Sequence, residues 1–372
     1  MKTALIIGGG FGGCTAAHQL ELQGGWDVTL VEGAPFLGGG CKTFYQGGHP
    51  YTFGPRHFLT DMDHTFEYLT SIIPLRRCQE HLFWTYVEQD QDFFHYPINM
   101  LDINKMQDAD QIKSEMENAV GPQGTKNLEE YWIKSVGETL YGKFIDDYNK
   151  KMWMVNDNTQ IDHNIENWST KGPTIKDGPP EVFDDCISAY PTAYNGYDDF
   201  FDITTQNANV MLNTRIEQFD IPNKTVWING EKKSYDIIIS TTHVDTLFNN
   251  CYGELKYIGR DFFPIVLPTE HVFPENVYFC YYANQQPVTR VVEYKQLTKH
   301  KSPTSLIGVE IPSLNNRLYP VPFNSEVEKA QKYIAEIPDD VFSIGRNGKY
   351  DYVLDIDDAI DDALHVGKLL KD

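Results

Sequence analysis

TALIIGGGFGGCTAAHQLELQGGWDVTLVE, running from Thr3 to Glu32, is the stretch that decides the fold. Thr3 to Ile7 is apolar and too short for helical periodicity, so it reads as a strand. Gly8, Gly10 and Gly13 follow in G-x-G-x-x-G register, with Phe11 and Gly12 inside the motif. Ala16, Ala17, Leu20 and Leu22 then suit a helix packed on a sheet, and Gly24-Gly25 ends it. Val28 to Val31 is a second strand. It finishes in Glu32, nineteen residues beyond Gly13, where a dinucleotide-binding fold places a carboxylate for the adenosine ribose hydroxyls. In such a fold Gly8 permits the turn, Gly10 lets the backbone approach a pyrophosphate, and Gly13 allows close helix-sheet packing, with the phosphate at the helix N-terminus. An acid at position 32, in place of a basic residue, argues against a 2'-phosphate.

Outward from Glu32, residues 33–43 read GAPFLGGGCKT. An acid followed by paired glycines, Gly38 and Gly39, and a hydroxyl residue, Thr43, resembles the extended signature of FAD enzymes of the glutathione-reductase type. FAD rather than NAD is therefore the expected cofactor; the plain alternative is a glycine-rich surface loop.

The chain has 372 residues, 41% of them hydrophobic, enough for a large core and more than one domain. Its 53 acidic and 31 basic side chains give a formal charge of -22, which repels nucleic-acid phosphates and anionic lipid, so neither partner is expected. No apolar run approaches the roughly 20 residues that span a bilayer. A soluble protein is expected. Cys14, Cys41, Cys78, Cys186, Cys251 and Cys280 form no C-x-x-C pair and have no His at zinc-finger spacing, so they read as reduced, buried thiols with no metal. Met1 leads straight into the glycine cluster without a basic segment and cleavage site, which predicts a cytoplasmic location. Only eight of the 31 cations are arginine, so each Arg near a motif matters for an anionic substrate.

Further along, residues 63–77 read as helix, and 82–87 with 93–99 as a strand pair. Residues 104–167 carry Leu128, Trp132, Val136, Leu140, Phe144 and Ile145 at helical spacing. Gly172, Pro173, Gly178, Pro179, Pro180 and Pro191 make 169–191 a loop. Apolar runs at 210–212, 216–219, 225–228 and 235–240 suggest a meander feeding a buried strand. The segment 264–311 is β-rich, 326–336 is helical, and 341–344 is a strand leading into Gly345-Arg346 and a final helix. The first and last strands are expected to share a sheet. The fold class is thus α/β, with a Rossmann-like FAD-binding domain of glutathione-reductase type built from residues 1–62, 203–250 and 326–372. A helical domain is inserted at 63–78 and 100–202, with a mobile loop at 169–191, and an antiparallel sheet domain at 79–99 and 251–325.

Several motifs along nearly the whole chain resemble the flavoenzyme UDP-galactopyranose mutase family. They are Asn127-Leu128-Glu129-Glu130 with Ser135-Val136-Gly137-Glu138, Tyr148-x-x-Lys151-x-Trp153, and Pro287-Val288-Thr289-Arg290-Val291-Val292-Glu293-Tyr294-Lys295. Tyr319-Pro320-Val321 and the closing Gly345-Arg346 through Tyr352, Asp355 and Ile356 complete the set. The resemblance implies a non-redox use of reduced FAD. Flavin N5 attacks the anomeric carbon of a nucleotide sugar, the nucleotide diphosphate leaves, and the opened ring recloses through another hydroxyl, converting pyranose to furanose. It implies catalytic positions at Arg290, Arg56, His57, Tyr319 and Tyr352. Substrate contacts are implied from Tyr148 on the base, Trp153, Asn99, Arg290, Tyr319, Tyr352 and Lys171. Gly345, Arg346, Asp355 and Ile356 are implied on the flavin, as are a reductant such as NAD(P)H and a homodimer. Apart from the family, Arg290 lies in a strand-like run and either grips a diphosphate in bidentate fashion or pairs with Glu293. Tyr148 and Trp153, five apart on a helix, would not share a face.

The sequence departs from the family in two places. Its two-histidine segment beside the flavin appears as Gly54-Pro55-Arg56-His57-Phe58-Leu59-Thr60, with Arg56 and Leu59 at the histidine positions. Its loop arginine has no counterpart, since no Arg occurs between Arg77 and Arg215; Lys171 or Lys176 would substitute as point charges. A redox flavoenzyme of the amine oxidase or desaturase type, and a non-catalytic FAD- or nucleotide-sugar-binding protein, stay open as alternatives.

Overall fold

A computed structural model describes residues 1–165, 172–183 and 185–371. At its centre Lys2–Ile7 lies in an all-parallel five-stranded sheet ordered Asn209–Met211, Trp26–Val31, Lys2–Ile7, Ile237–Ser240, Val341–Ser343. Ala4, Leu5 and Ile6 have no exposure, as expected for a strand covered on both faces. The first and last strands do share the sheet, with Ile237–Ser240 between them. The helix Phe11–Gln23 covers one face and packs on the final helix Ile356–Lys371, so closely that a Cβ on Gly367 would fall 2.8 Å from Gln19. Leu22, expected to face the sheet, is exposed instead.

The meander Ile216–Asp220, Thr225–Ile228, Glu231–Ser234 has one strand more than the hydrophobic pattern predicts. Glu-Lys-Lys-Ser has no apolar residue; the Asn229-Gly230 turn, with both φ values positive, folds it back onto its neighbour.

A seven-stranded sheet forms the roof, ordered Tyr319–Pro320, Tyr257–Leu267, Ser305–Ser313, Arg290–Glu293, Val277–Tyr282, Leu82–Val87, Asp92–His95. It is mixed, which corrects the antiparallel expectation: Val277–Tyr282 and Leu82–Val87 come from distant parts of the chain and pair in parallel, with no hairpin to force the opposite sense.

Two elements also differ from the sequence reading. The helix expected over 63–77 stops at Thr70, and after Pro74 the chain forms a strand, Leu75–Arg77. Its partner is Ile187–Pro191, which also pairs with Phe58–Thr60 and lies inside the expected loop. Pro191 stands at the strand's last position, where its missing N–H disturbs nothing beyond the end. Leu69, Ile73, Tyr190 and Phe200 accordingly join the core that holds Phe11, whereas the helices Leu128–Val136, Glu138–Phe144 and Asp146–Trp153 have a separate core around Trp132, Leu140 and Trp153. Cys251 is exposed and Cys186 half-buried, against the expectation of six buried thiols. No helix among the described residues is long and apolar enough to cross a membrane.

Candidate active site

The glycine turn is built for a phosphate. Gly8 has φ +100°, and a Cβ there would fall 2.2 Å from Thr241 Oγ1; one on Gly13 would fall 1.9 Å from the Gly8 carbonyl oxygen. A Cβ on Gly10 would meet nothing within 4 Å, and no side chain caps the helix that starts after it. Its first N–H groups thus have no side-chain cap, and a phosphate group could satisfy them. Gly12 lies against Thr241 and the Ala359 carbonyl of the final helix. The Phe11 ring packs on Tyr197, Phe200 and Phe201, because the first helical turn points it at the aromatic core.

Glu32 accepts hydrogen bonds from the N–H groups of Gly9 and Ala34, both at 2.7 Å, which fixes its carboxylate beside the turn. Gly38 and Gly39 adopt φ +103° and +54°, and the Gly38 N–H donates to the Gly9 carbonyl at 2.7 Å, so the paired glycines close the cradle. Thr43 is anchored within the fold. Its hydroxyl donates to the Asn195 carbonyl at 2.8 Å and its N–H to Asp198, tying this segment to the helix Asp198–Thr204. On the opposite wall Gly345 takes φ +70°, Arg346 donates from Nε to the Leu354 carbonyl at 2.7 Å, and its Nη2 lies 3.6 Å from Asp355. Ile356 begins the final helix and lines the same cleft.

Above the cradle the turn from Gly54 to His57 is held by two neighbours. Tyr294 accepts from the Gly54 N–H, and the Thr52 hydroxyl donates to the Gly54 carbonyl at 2.7 Å. Arg56 donates from Nε to the Phe53 carbonyl at 2.8 Å and lies against Gly40, where a Cβ would come within 3.2 Å of its Nη2. It makes no ion pair with a carboxylate among the described residues. Burial opposes its charge, but Tyr319, Cys41, Asp355 and Glu310 outweigh that and hold it more firmly protonated than usual. His57 packs edge-on against His81 at 4.7 Å, and burial pushes it down to about 4, so it is neutral at physiological pH.

The cleft has an outer lobe, lined by Arg56, His57, Leu59, Asp355 and Ile356, and an inner lobe, lined by Trp132, Phe144, Tyr148, Trp153 and Arg260. Tyr96, Tyr281, Arg290, Tyr319 and Tyr352 line both and form the waist. Tyr148 and Trp153 do meet in one lobe despite their spacing. Tyr148 stands edge-on to Tyr281 at 5.5 Å and Trp153 edge-on to Tyr352 at 4.7 Å, so the two rings approach the cleft from separate sides. Their helix is pinned by Lys151, which donates to the carbonyls of Tyr282, Asn284 and Gln286.

Arg290 does not pair with Glu293, whose carboxylate accepts from the Val272 and Phe273 N–H groups. Its partner is Glu310, directly opposite on the neighbouring strand, with Nε and Nη2 each at 2.9 Å. That spends one edge of the guanidinium, and the Tyr281 side chain also hydrogen-bonds it. Tyr319 is ringed by cations, with Arg260 over its ring at 4.9 Å and Arg346 at 5.4 Å. Burial would raise its phenol, but Arg56, Arg260 and Arg290 outweigh burial and bring it down to about 8. Burial raises Tyr352 to about 12.

Asn99 falls outside the cleft lining. Its side chain accepts from the Leu101 N–H as a helix cap and donates to the Gly178 carbonyl, so both ends serve the fold. Lys171 lies outside the described residues. Lys176 donates to the Glu181 carbonyl.

A family model described as UDP-galactopyranose mutase matches residues 143–352, more than half of the chain. The chain belongs to the UDP-galactopyranose mutase family. A second, described as an NAD(P)-binding Rossmann-like domain, matches residues 6–72. A Klebsiella pneumoniae protein named "Probable UDP-galactopyranose mutase" is 23% identical, over 98% of this chain and 93% of its own length. The Escherichia coli dTDP-fucopyranose mutase is 24% identical, over 99% and 98%. The crystal structure of a reduced UDP-galactopyranose mutase superposes with a TM-score of 0.82 at 17% identity, covering 100% of this chain and 94% of that one. Membership makes this chain a mutase, an isomerase of nucleotide sugars. Tyr96, Tyr281, Arg260 and Glu310 are members of the site that the motifs do not mark. Only the scarcity of arginine points to Arg260.

Proposed function

We propose that the protein binds FAD in the glycine cradle and interconverts the pyranose and furanose rings of a nucleotide-diphosphate hexose, UDP-galactose or a related UDP- or dTDP-sugar. The observation that carries this is a cleft that is aromatic within and cationic at its waist, with Arg56 of the outer lobe lying against Gly40 of the glycine segment. In this reading the base stacks among Tyr148, Phe144 and Trp153, the diphosphate crosses the waist, and the sugar lies in the outer lobe under Arg56 and His57. Reduced FAD would supply there the nucleophilic nitrogen that takes the sugar from its diphosphate. Glu32, Gly10, Gly38 and Gly39 would hold its adenine half, and Gly345, Arg346, Asp355 and Ile356 the flavin side. Arg290 and Tyr352 orient the departing diphosphate and keep it close for return. Arg56 sets a permanent cation beside the flavin, which favours an anionic reduced ring. A reductant such as NAD(P)H, a cytoplasmic location and a homodimer belong to the same reading, by family likeness.

The test is to incubate the protein with UDP-galactopyranose and with dTDP-fucopyranose, with its flavin reduced by dithionite or left oxidised, and follow the furanose form by NMR. Conversion is expected only after reduction. Equal turnover with oxidised flavin in air, or a purified protein that cannot take up FAD, overturns the proposal.

Tyr319 predicts a pH dependence. As a neutral phenol it donates to a phosphate oxygen; as a phenolate it repels one. Affinity for UDP is therefore expected to fall as pH rises through about 8, and the step should vanish in Tyr319→Phe. Stability moves the other way. A phenol ionising near 8 in the fold and near 10 when unfolded releases its proton earlier in the native state, so the ligand-free protein gains stability from this group over that interval. Loss of binding above pH 8 with no matching fall in the melting temperature of the free protein is the expected signature.

A further inference from the structure

Of the eight arginines, Arg76, Arg290, Arg317 and Arg346 lie against carboxylates, and Arg77 and Arg215 are exposed. Arg56 and Arg260 remain. Neither has a carboxylate partner among the described residues, and each lines the cleft. Arg56 is accounted for beside Gly40 on the cofactor side. Arg260 lies deep in the inner lobe at 9% exposure.

Its position is built with care. Asn316 accepts from the Arg260 N–H at 3.0 Å and donates to its carbonyl at 2.9 Å, clamping the strand on both sides. Gly259 makes room for that clamp, since a Cβ there would fall 2.2 Å from Asn316. Among the described residues the guanidinium itself meets neutral groups: the Gly259 carbonyl at 2.6 Å, the Met152 sulfur, and the Tyr319 ring. Burying a charge without a counter-ion is costly, and this chain has 53 carboxylates from which one could have been supplied. The missing charge is therefore the ligand's.

We propose that Arg260 is the second cation of a diphosphate subsite, taking the phosphate next to the nucleoside, while Arg290, oriented by Glu310, takes the phosphate bonded to the sugar. The order follows from the lining: Arg260 borders the inner lobe alone, Arg290 both lobes. This rests on the reading of the cleft as a nucleotide-sugar site. It supplies from a sheet strand the cation that the segment between Arg77 and Arg215 lacks.

The experiment is calorimetric titration of the FAD-loaded wild type, Arg260→Met and Arg260→Lys with UDP, UMP and uridine (or dTDP, dTMP and thymidine, if the wild type prefers them), with melting temperatures of the ligand-free proteins. Arg260→Met is expected to lose at least tenfold in affinity for UDP and for UMP, to keep its uridine affinity, and to melt no lower than wild type, because an uncompensated buried charge has gone. Arg260→Lys should recover part of the loss. UDP affinity within twofold of wild type in Arg260→Met, or an equal loss for uridine, overturns the assignment while leaving the function in place. A wild type that binds neither diphosphate overturns both.

Discussion

Gly13→Ala is expected to yield a protein that melts far below wild type and copurifies with no flavin, whereas Gly10→Ala folds normally and only binds flavin more weakly. The difference lies in what each Cβ would meet. On Gly13 it would sit 1.9 Å from the Gly8 carbonyl oxygen and 3.3 Å from Ile6 Cγ2, both in the first strand and its turn. A backbone carbonyl cannot rotate aside as a side chain can. Gly8 cannot retreat either, because its N–H donates to the Val31 carbonyl at 2.9 Å and Thr241 is packed behind it. The helix Phe11–Gln23 would have to lift off the sheet, carrying Phe11 out of its aromatic nest and loosening the final helix. Overpacking of a movable core costs about 1 to 3 kcal/mol, and a fixed backbone neighbour puts this case beyond that range. A Cβ on Gly10 would meet no atom within 4 Å and φ is -83°, so alanine costs the fold little. It would instead occupy the space through which the pyrophosphate approaches, lowering flavin content at unchanged melting temperature. Absorbance at 450 nm with thermal denaturation of both variants decides it. A Gly13→Ala protein as stable and as yellow as wild type would contradict the packing described here.

The contrast between these glycines also marks how far the sequence could be read. Strand, G-x-G-x-x-G, helix, strand and acid are a local pattern, each step fixed by neighbours a few residues away, and the structure follows it closely. The Leu75–Arg77 and Ile187–Pro191 strands were not legible, because each is short and acquires its partner from far along the chain. The same holds for the site. Arg290 stood out through its motif, but its partner depends on strand register: Glu293 is near in sequence, whereas Glu310 is near in space. The side chains of Thr43 and Asn99 are held in a tie and a helix cap, partners that the motifs naming them do not show. Arg260 carried no motif at all. Its meaning comes from burial and from what is absent around it, and neither can be seen before the chain is folded.

The Arg290–Glu310 pair gives the second large effect, and a way of separating its two contributions. Arg290→Ala is expected to lose stability and turnover together. Glu310 is 4% exposed, and removing its partner leaves a buried carboxylate uncompensated, at a cost of about 3 to 5 kcal/mol. In the proposed reading the guanidinium meanwhile no longer reaches the diphosphate, and loss of one charge-assisted contact to a leaving group costs about 2 to 4 kcal/mol, roughly 30- to 1,000-fold in kcat/KM. In the double variant Arg290→Met with Glu310→Gln both charges are gone, so the melting temperature should return toward wild type while kcat/KM stays low. Arg290→Lys should fall between them in stability and recover little activity, because an ammonium cannot hold Glu310 along one edge and a phosphate with the other. Melting curves and steady-state kinetics of the three proteins separate the readings. If the double variant regains wild-type kcat/KM, Arg290 serves only to neutralise Glu310, and the waist must grip its diphosphate through other groups.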